Sequence, residues 1–183
     1  AEGSTVAARA WFYSDKIGSL SQIDLIAVDP PSQAAEEDGA AAEDQPAGRF
    51  TAVSLLCMEP QEPAVSAADR ALTAGRWFRD INELGIILPD HIAHILGYGP
   101  DDLGKRVLVF GMELPLLGIY EGARFDAIRD IDGEPLTPVD FVAQSQMMAD
   151  RSPDQAKADT LEEYAHYSSD QIAIVPLRFG RRL

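Results

Sequence analysis

Apolar positions fall in short runs separated by turn-forming residues. Ala7 to Tyr13 and Ile23 to Val28 carry apolar, β-branched or aromatic side chains and read as strands, with Gly and Ser turn chemistry between them in Asp15 to Ser21. Phe50 to Met58 resumes a strand. Ser66 has the chemistry of an N-cap, Asp69 falls in the following first turn and Gly75 stands just past the last helical position, which predicts a short helix. Leu84 to Leu88 is too short for a helix and is closed by Pro89, whereas Asp90, Ile92, Ile95, Leu96 and Gly97 supply a cap, an apolar face and a stop, so the reading is strand, then helix.

Lys105 to Phe110 and Glu113 to Tyr120 flank Gly111-Met112, a pair suited to a two-residue hairpin because Gly takes the positive φ of the first turn position. Thr137-Pro138 and Ser152-Pro153 each set a hydroxyl before a proline, predicting helices that run to about Ala149 and Tyr167. Gln171 to Leu177 makes a last strand. Strands and helices mix without a βαβ rhythm or an internal repeat, which predicts an α+β fold of mixed sheets with short helices. Residues 84–120 form its expected strand, helix and hairpin core.

Hydrophobic residues make up 46% of the 183, enough for a sizeable core in one unit of two lobes or one large domain, and 14 Gly with 12 Pro agree with many turns. Residues 29–48 are rich in Pro, Ala and acid, with Glu36, Glu37, Asp38, Glu43 and Asp44, and read as an acidic mobile loop. The net charge of −15 makes nucleic acid and anionic lipid headgroups poor partners. The longest apolar stretches, such as Leu84–Leu88 and Val107–Phe110, fall far short of the roughly 20 residues that span a bilayer. The start carries no initiator Met and no basic segment leading into an apolar run, so the expectation is a fragment of a longer chain.

Candidate chemistry is sparse. Cys57, the only cysteine, lies in an apolar strand and reads as a small buried hydrophobe, without an oriented His partner. His91 and His94 are three apart on one helix and share a face, but no third zinc ligand is set by the spacing, so a solvated or packed face is the better reading. Asp130-Ile131-Asp132-Gly133-Glu134 has the opening of a calcium loop, yet Val139 stands where the series needs its bidentate Glu, so the segment reads as an acidic turn. Glu162 and Glu163 are adjacent on a helix and point about 100° apart, unlike a hydrolytic pair. There is no Gly-x-Ser-x-Gly elbow, Walker A loop or Rossmann glycine pattern. No catalytic, cofactor-binding or metal residue is therefore assigned, and no enzyme activity is expected. Trp11, Phe12, Trp77 and Phe78 read as core, or as lining for a groove between lobes.

Three stretches, in order, resemble the extracytoplasmic domain between the first and second membrane helices of ABC-transporter permeases of the MacB/FtsX/LolC-E type. LLCMEPQEPAVSAADRALTAGRWF, within Ser54 to Phe78, is similar to the family's strand, "dP-x-E" turn and "l-x-x-GR-f" segment. IILPDHIAHILGYGPDDLGKRVLVFGMELPLLGIY is similar to its strand, "lA-x-x-Lg" helix and the two strands that follow. IAIVPLRFGRRL resembles the closing segment that precedes the second membrane helix. Together they cover about two-fifths of the chain.

The resemblance implies a single two-lobed periplasmic core domain over residues 1–183, set in an inner-membrane protein. It implies coupling of ATP-driven motion of membrane helices to export or release of a substrate, without chemistry of its own and without a cofactor. The implied partners are the membrane helices of the same polypeptide, a cytoplasmic ABC ATPase, a periplasmic adaptor or lipoprotein, and a second copy in the full transporter. A free-standing secreted ligand- or peptide-binding protein is the alternative.

Overall fold

The computed structural model describes residues 5–13, 22–32, 48–150 and 164–183. These form an α+β fold: a nine-stranded mixed sheet with short helices. The strands are β1 (Arg9–Tyr13), β2 (Ile23–Ala27), β3 (Arg49–Ala52), β4 (Ser54–Met58), β5 (Leu72–Gly75), β6 (Ile86–Pro89), β7 (Arg106–Val109), β8 (Met112–Tyr120) and β9 (Ile172–Pro176). The helices are α1 (Glu62–Ser66), α2 (Asp90–Ile95), α3 (Gly122–Asp126), α4 (Phe141–Asp150) and α5 (Leu177–Gly180). The hydrogen-bonded order is β1-β4-β9-β6-β8-β7-β2-β3, with β5 added alongside β8.

β4, β6 and β9 are buried along their whole length, which is why their sequences are unbroken apolar runs instead of alternations. Successive side chains still point to opposite faces. Leu55, Cys57, Ile86, Leu88, Ala173 and Val175 enter one cluster, closed by Ile23 and Leu25 of β2, Val107 and Val109 of β7, Ile92 of α2 and Leu96 at its C-cap. Leu56, Met58, Ile87, Ile172 and Ile174 enter the other, beneath Trp77, Phe78, Phe125 and Leu136. The nine-residue β8 serves both halves of the sheet: Met112 to Pro115 pair with β7, and Leu116 to Tyr120 pair with β5 and β6. The 84–120 segment thus supplies β6, α2, β7 and β8 as expected.

Register decides which strand ends meet. Arg9, at the start of β1, stands opposite Met58 at the end of β4, and Met58 stands beside Pro176 at the end of β9. β6 runs antiparallel to β9, and β8 runs with β6 so that Pro89 pairs with Tyr120. One pole of the sheet therefore gathers the start of β1 and the end of β9. The opposite pole gathers the ends of β6 and β8 and the start of β9.

Several expected elements are corrected. Phe50–Met58 is two strands, not one, because the chain changes partners at Val53: β3 pairs with β2, and β4 lies between β1 and β9. The helix expected from Ser66 to Gly75 ends at Ser66 instead; Pro63 sits in its first turn, and Ala67 closes it with φ 59°. After a 3-10 turn over Ala68–Ala71, Leu72 to Gly75 pair with β8. The strand expected at Leu84–Leu88 is shifted to Ile86–Pro89. α4 begins at Phe141, where Asp140 accepts the Val142 and Ala143 N–H groups at 3.0 Å, so Asp140, not Thr137, is its cap. The helix expected to reach Tyr167 lies mostly outside the described residues, and in its last part His166 makes an isolated bridge to Val139. Helix α3 had no counterpart in the reading of the sequence.

Of the expected mobile segment, residues 33–47 lie outside the described residues, as does the 15–21 turn, while Asp29 to Ser32 are anchored. Asp29 holds Arg106 through a side-chain pair at 2.7 Å, the Tyr98 hydroxyl donates to the Asp29 carbonyl at 2.8 Å, and the Ser32 N–H donates to Asp102 at 2.7 Å. The Arg106 hydrogen bonds hold the Asp29 carboxyl down at about 2, below the usual carboxylate range.

The hairpin is present with its turn one residue earlier than expected. Val109 pairs with Met112, so the turn residues are Phe110 (φ 49°) and Gly111 (φ 77°), the double positive φ of a type I′ turn. Phe110 is held there by edge-to-face packing on Phe12, ring centroids 5.4 Å apart.

Two outcomes follow. A Cβ at Gly111 meets nothing within 4 Å, so Gly111→Val costs backbone strain alone, about 1–2 kcal/mol, read as a lower urea midpoint. An unchanged midpoint would contradict the turn assignment. Because Asp29 titrates at about 2 in the folded chain and near 3.9 when unfolded, its contribution is complete above about pH 4 and is lost as pH falls towards 2. Asp29→Asn should flatten the dependence of stability on pH in that window, and an identical slope in the variant would refute the pairing.

Candidate functional site

The pole where β1 begins and β9 ends carries a polar construction that fixes the incoming and outgoing chain. The Glu-Pro-Gln-Glu turn after β4 supplies most of it. Glu59 accepts the Ala8 N–H at 2.9 Å and the Gln61 amide at 2.6 Å, tying the incoming chain to the end of β4. Glu62 opens α1, where Pro63 is tolerated because the first helical turn has no intrahelical donor to lose. Its side chain is fully buried, and Oε1 accepts from Arg9 Nε at 2.8 Å while Oε2 has no hydrogen-bond partner among the described residues. Arg9 is 12% exposed and also pairs with Asp130, whose carboxyl that hydrogen bond holds below the usual range. The acidic turn expected at 130–134 is present, closed by Gly133 N–H to the Asp130 carbonyl at 3.0 Å.

The outgoing chain is fixed at the same pole. Leu177 and Phe179 of α5 are buried in the first cluster, a contribution of roughly 1.5–3 kcal/mol each. α5 packs so closely on β4 that a Cβ on Gly180 would stand 2.5 Å from Cys57 Sγ. Cys57 is thus a packing residue, and burial pushes its thiol up to about 11. Arg178 donates to Asn82 Oδ1 in the loop between β5 and β6, and Glu59, Ile81, Asn82, Leu177, Arg178 and Arg181 enclose a pocket of about 230 Å³.

The opposite pole bears an open cleft of about 570 Å³ lined by Asp90, His91 and His94 of α2, by Glu121 to Ala123, and by Asp170. Both histidines are exposed. Burial, then the neighbouring Asp90 and Asp126 carboxylates, raise the Asp170 carboxyl. No group of three His, Cys, Asp or Glu with the geometry to hold a metal ion occurs among the described residues. Its lining is mainly acidic, with Asp90, Glu121 and Asp170 set beside the two exposed imidazoles.

The aromatic candidates divide. Trp77 and Phe78 are core, Trp11 is 47% exposed with its indole N–H donating to the Leu136 carbonyl at 3.2 Å, and Phe12 packs on Phe110. They line no common groove among the described residues. Glu162 and Glu163 lie outside them. The Arg9–Glu62 pair was missed from sequence. The partners are 53 positions apart, and the only local signal was Glu62 as the final acid of the "dP-x-E" turn.

No family model matches the chain, and no curated protein matches it. Among the described residues no helix is long and apolar enough to cross a membrane.

Removing one partner of a buried pair leaves an uncompensated charge, so Arg9→Met should cost about 3–5 kcal/mol in chemical unfolding at pH 7. The double variant Arg9→Met/Glu62→Leu should recover most of the loss. Additive losses in the two single variants and the double would show that the two side chains are not coupled.

Proposed function

We propose that this chain is the extracytoplasmic domain of an ABC-transporter permease of the MacB/FtsX/LolC-E type, a non-catalytic module that couples ATP-driven movement of membrane helices to export or release of a substrate. The observation that carries the reading is the common pole of entry and exit: β1 and β9 flank the same strand, β4, and the incoming end of one lies level with the outgoing end of the other. Two membrane helices packed in one bilayer require that arrangement of whatever they bracket.

In this reading the cytoplasmic ATPase moves the helices, and the movement enters the domain at Ala8–Glu59, Arg9–Glu62 and the seat of α5. The central strands β4, β6 and β9, buried on both faces, pass it as a rigid body to the opposite pole. There the anionic cleft at Asp90, Glu121 and Asp170 faces away from the bilayer, where a periplasmic adaptor or lipoprotein would be met. The domain works as one of two copies in the assembled transporter.

Two measurements test this. Spin labels on Val6→Cys and Leu183→Cys should lie within about 20 Å, two strand spacings of about 4.8 Å plus the label arms. A separation equal to the long axis of the domain would exclude attachment to two neighbouring helices. The full reading frame should encode apolar spans of about 20 residues directly before Ala1 and after Leu183, and a frame without them would overturn the transporter reading in favour of a secreted binding protein.

A further inference from the structure

We infer that His166 is a proton-operated clamp: with both ring nitrogens protonated it locks the 164–167 segment onto the 134–140 segment, and loss of one proton loosens that layer. His166 Nδ1 faces the Thr137 carbonyl at 2.5 Å, and Nε2 faces a carboxylate oxygen of Glu134 at 3.2 Å. A carbonyl oxygen and an ionised carboxylate can only accept, whereas a neutral imidazole offers one N–H and one lone pair. Whichever tautomer the neutral ring takes, one nitrogen turns its lone pair on an oxygen. The imidazolium donates to both. The His166 side chain is 11% exposed and that of Glu134 36%, so water reaches the carboxylate more readily than the ring. The charged groups of the neighbouring elements favour the same form: the turn that supplies Glu134 also carries Asp130 and Asp132, and Asp140 caps α4 next to Val139, the residue bridged to His166. Of the nearby cations, Arg9 is paired with Asp130, and Arg129 donates to the Asp126 and Ile128 carbonyls. Tyr164 and Tyr167 flank the ring on its own segment, and burial, then the Asp140 carboxylate, raises the Tyr167 phenol, which stays neutral throughout.

The clamp holds more than its own ring. The Asp140 N–H donates to the Ala165 carbonyl at 2.7 Å, the Tyr167 N–H to the Pro138 carbonyl at 3.0 Å, and the Ala165 N–H to Gln144 of α4 at 2.8 Å, so the two segments lie against each other with His166 at the centre. Leu136 and Tyr167, one from each segment, belong to the layer that covers the second core cluster. The Glu134 carbonyl accepts the Asp130 N–H at 2.8 Å, Asp130 pairs with Arg9, and the Trp11 indole N–H donates to the Leu136 carbonyl. Arg9 and Trp11 both belong to β1, so the protonation of one ring reaches the incoming strand. An imidazole changes charge between about pH 5 and 8. A proton that the folded chain holds more tightly than the unfolded one stabilises at low pH, and its contribution is lost as pH rises, so this layer tightens on acidification. The clamp stands apart from the transporter reading and needs no flanking segment.

The test is amide hydrogen exchange of the 183-residue chain from about pH 8 to about pH 5.5, corrected for the intrinsic pH dependence of exchange. Measured against the amides of β9, which report the sheet itself, protection of the Asp140 and Tyr167 amides should rise about ten-fold as pH falls, the effect of one charge-assisted hydrogen bond. His166→Gln should abolish the rise. Glu134→Gln, a change on a partly exposed side chain, should abolish it too, because an amide can turn its NH2 group to the bare ring nitrogen and so satisfy the neutral imidazole. A wild-type protection that does not change with pH, or a rise that persists in either variant, would overturn the clamp.

Discussion

Everything in this fold is referred to the parallel pairing of β4 with β9. The two strands are adjacent in the sheet but more than a hundred residues apart in the chain, and both bury every side chain. Such a pair is stable only with covering layers on both faces, because uncovered it would expose apolar surface on two sides. The other strands are recruited around it: β1 closes one flank, β6 the other, and β8 carries the ladder on to β7, β2 and β3. The polar groups that do enter this region enter in pairs, as Arg9 and Glu62 do, since an unmatched charge there has no water to turn to.

This dependence explains what could be read from the sequence. Runs buried on both faces are conspicuous, so β4, β6 and β9 were visible as strands, and the pattern of strand, helix and hairpin over 84–120 was visible because its punctuation is local: Pro89, Gly97 and Gly111. Partner choice is not local. Nothing in Phe50–Met58 records that the chain leaves one half of the sheet for the other at Val53, and Leu72–Gly75 is a strand only because β8 offers an unpaired edge. The hairpin slipped by one residue because Phe110 adopts a left-handed conformation that its own side chain disfavours, and a contact with Phe12, far away in sequence, holds it there.

The candidate site was less legible than the fold, for the same reason. Glu59, Glu62 and Arg178 were each on the page as parts of strings, but their roles come from proximity to Ala8, Arg9 and Asn82. The residues that drew attention for their chemistry, Cys57, His91, His94 and Asp130, are respectively a packing atom, two exposed rings on an open cleft and one arm of an ion pair. Chemical type alone ranks candidates poorly where such side chains are spent on packing and on ion pairs.

The placement of β1 and β9 on either side of β4, with their free ends level, has a mechanical corollary. A pull that separates the two ends sideways does not load the strands in shear, where many ladder hydrogen bonds resist together. It opens them like a zip, where the outermost bonds fail one after another. At that outermost position stand the Ala8–Glu59 contact, the Arg9–Glu62 pair and the close seat of Gly180 on Cys57. These three contacts act as rivets at the mouth of the zip, and they set the lateral force that the sheet can carry before its first strand peels away.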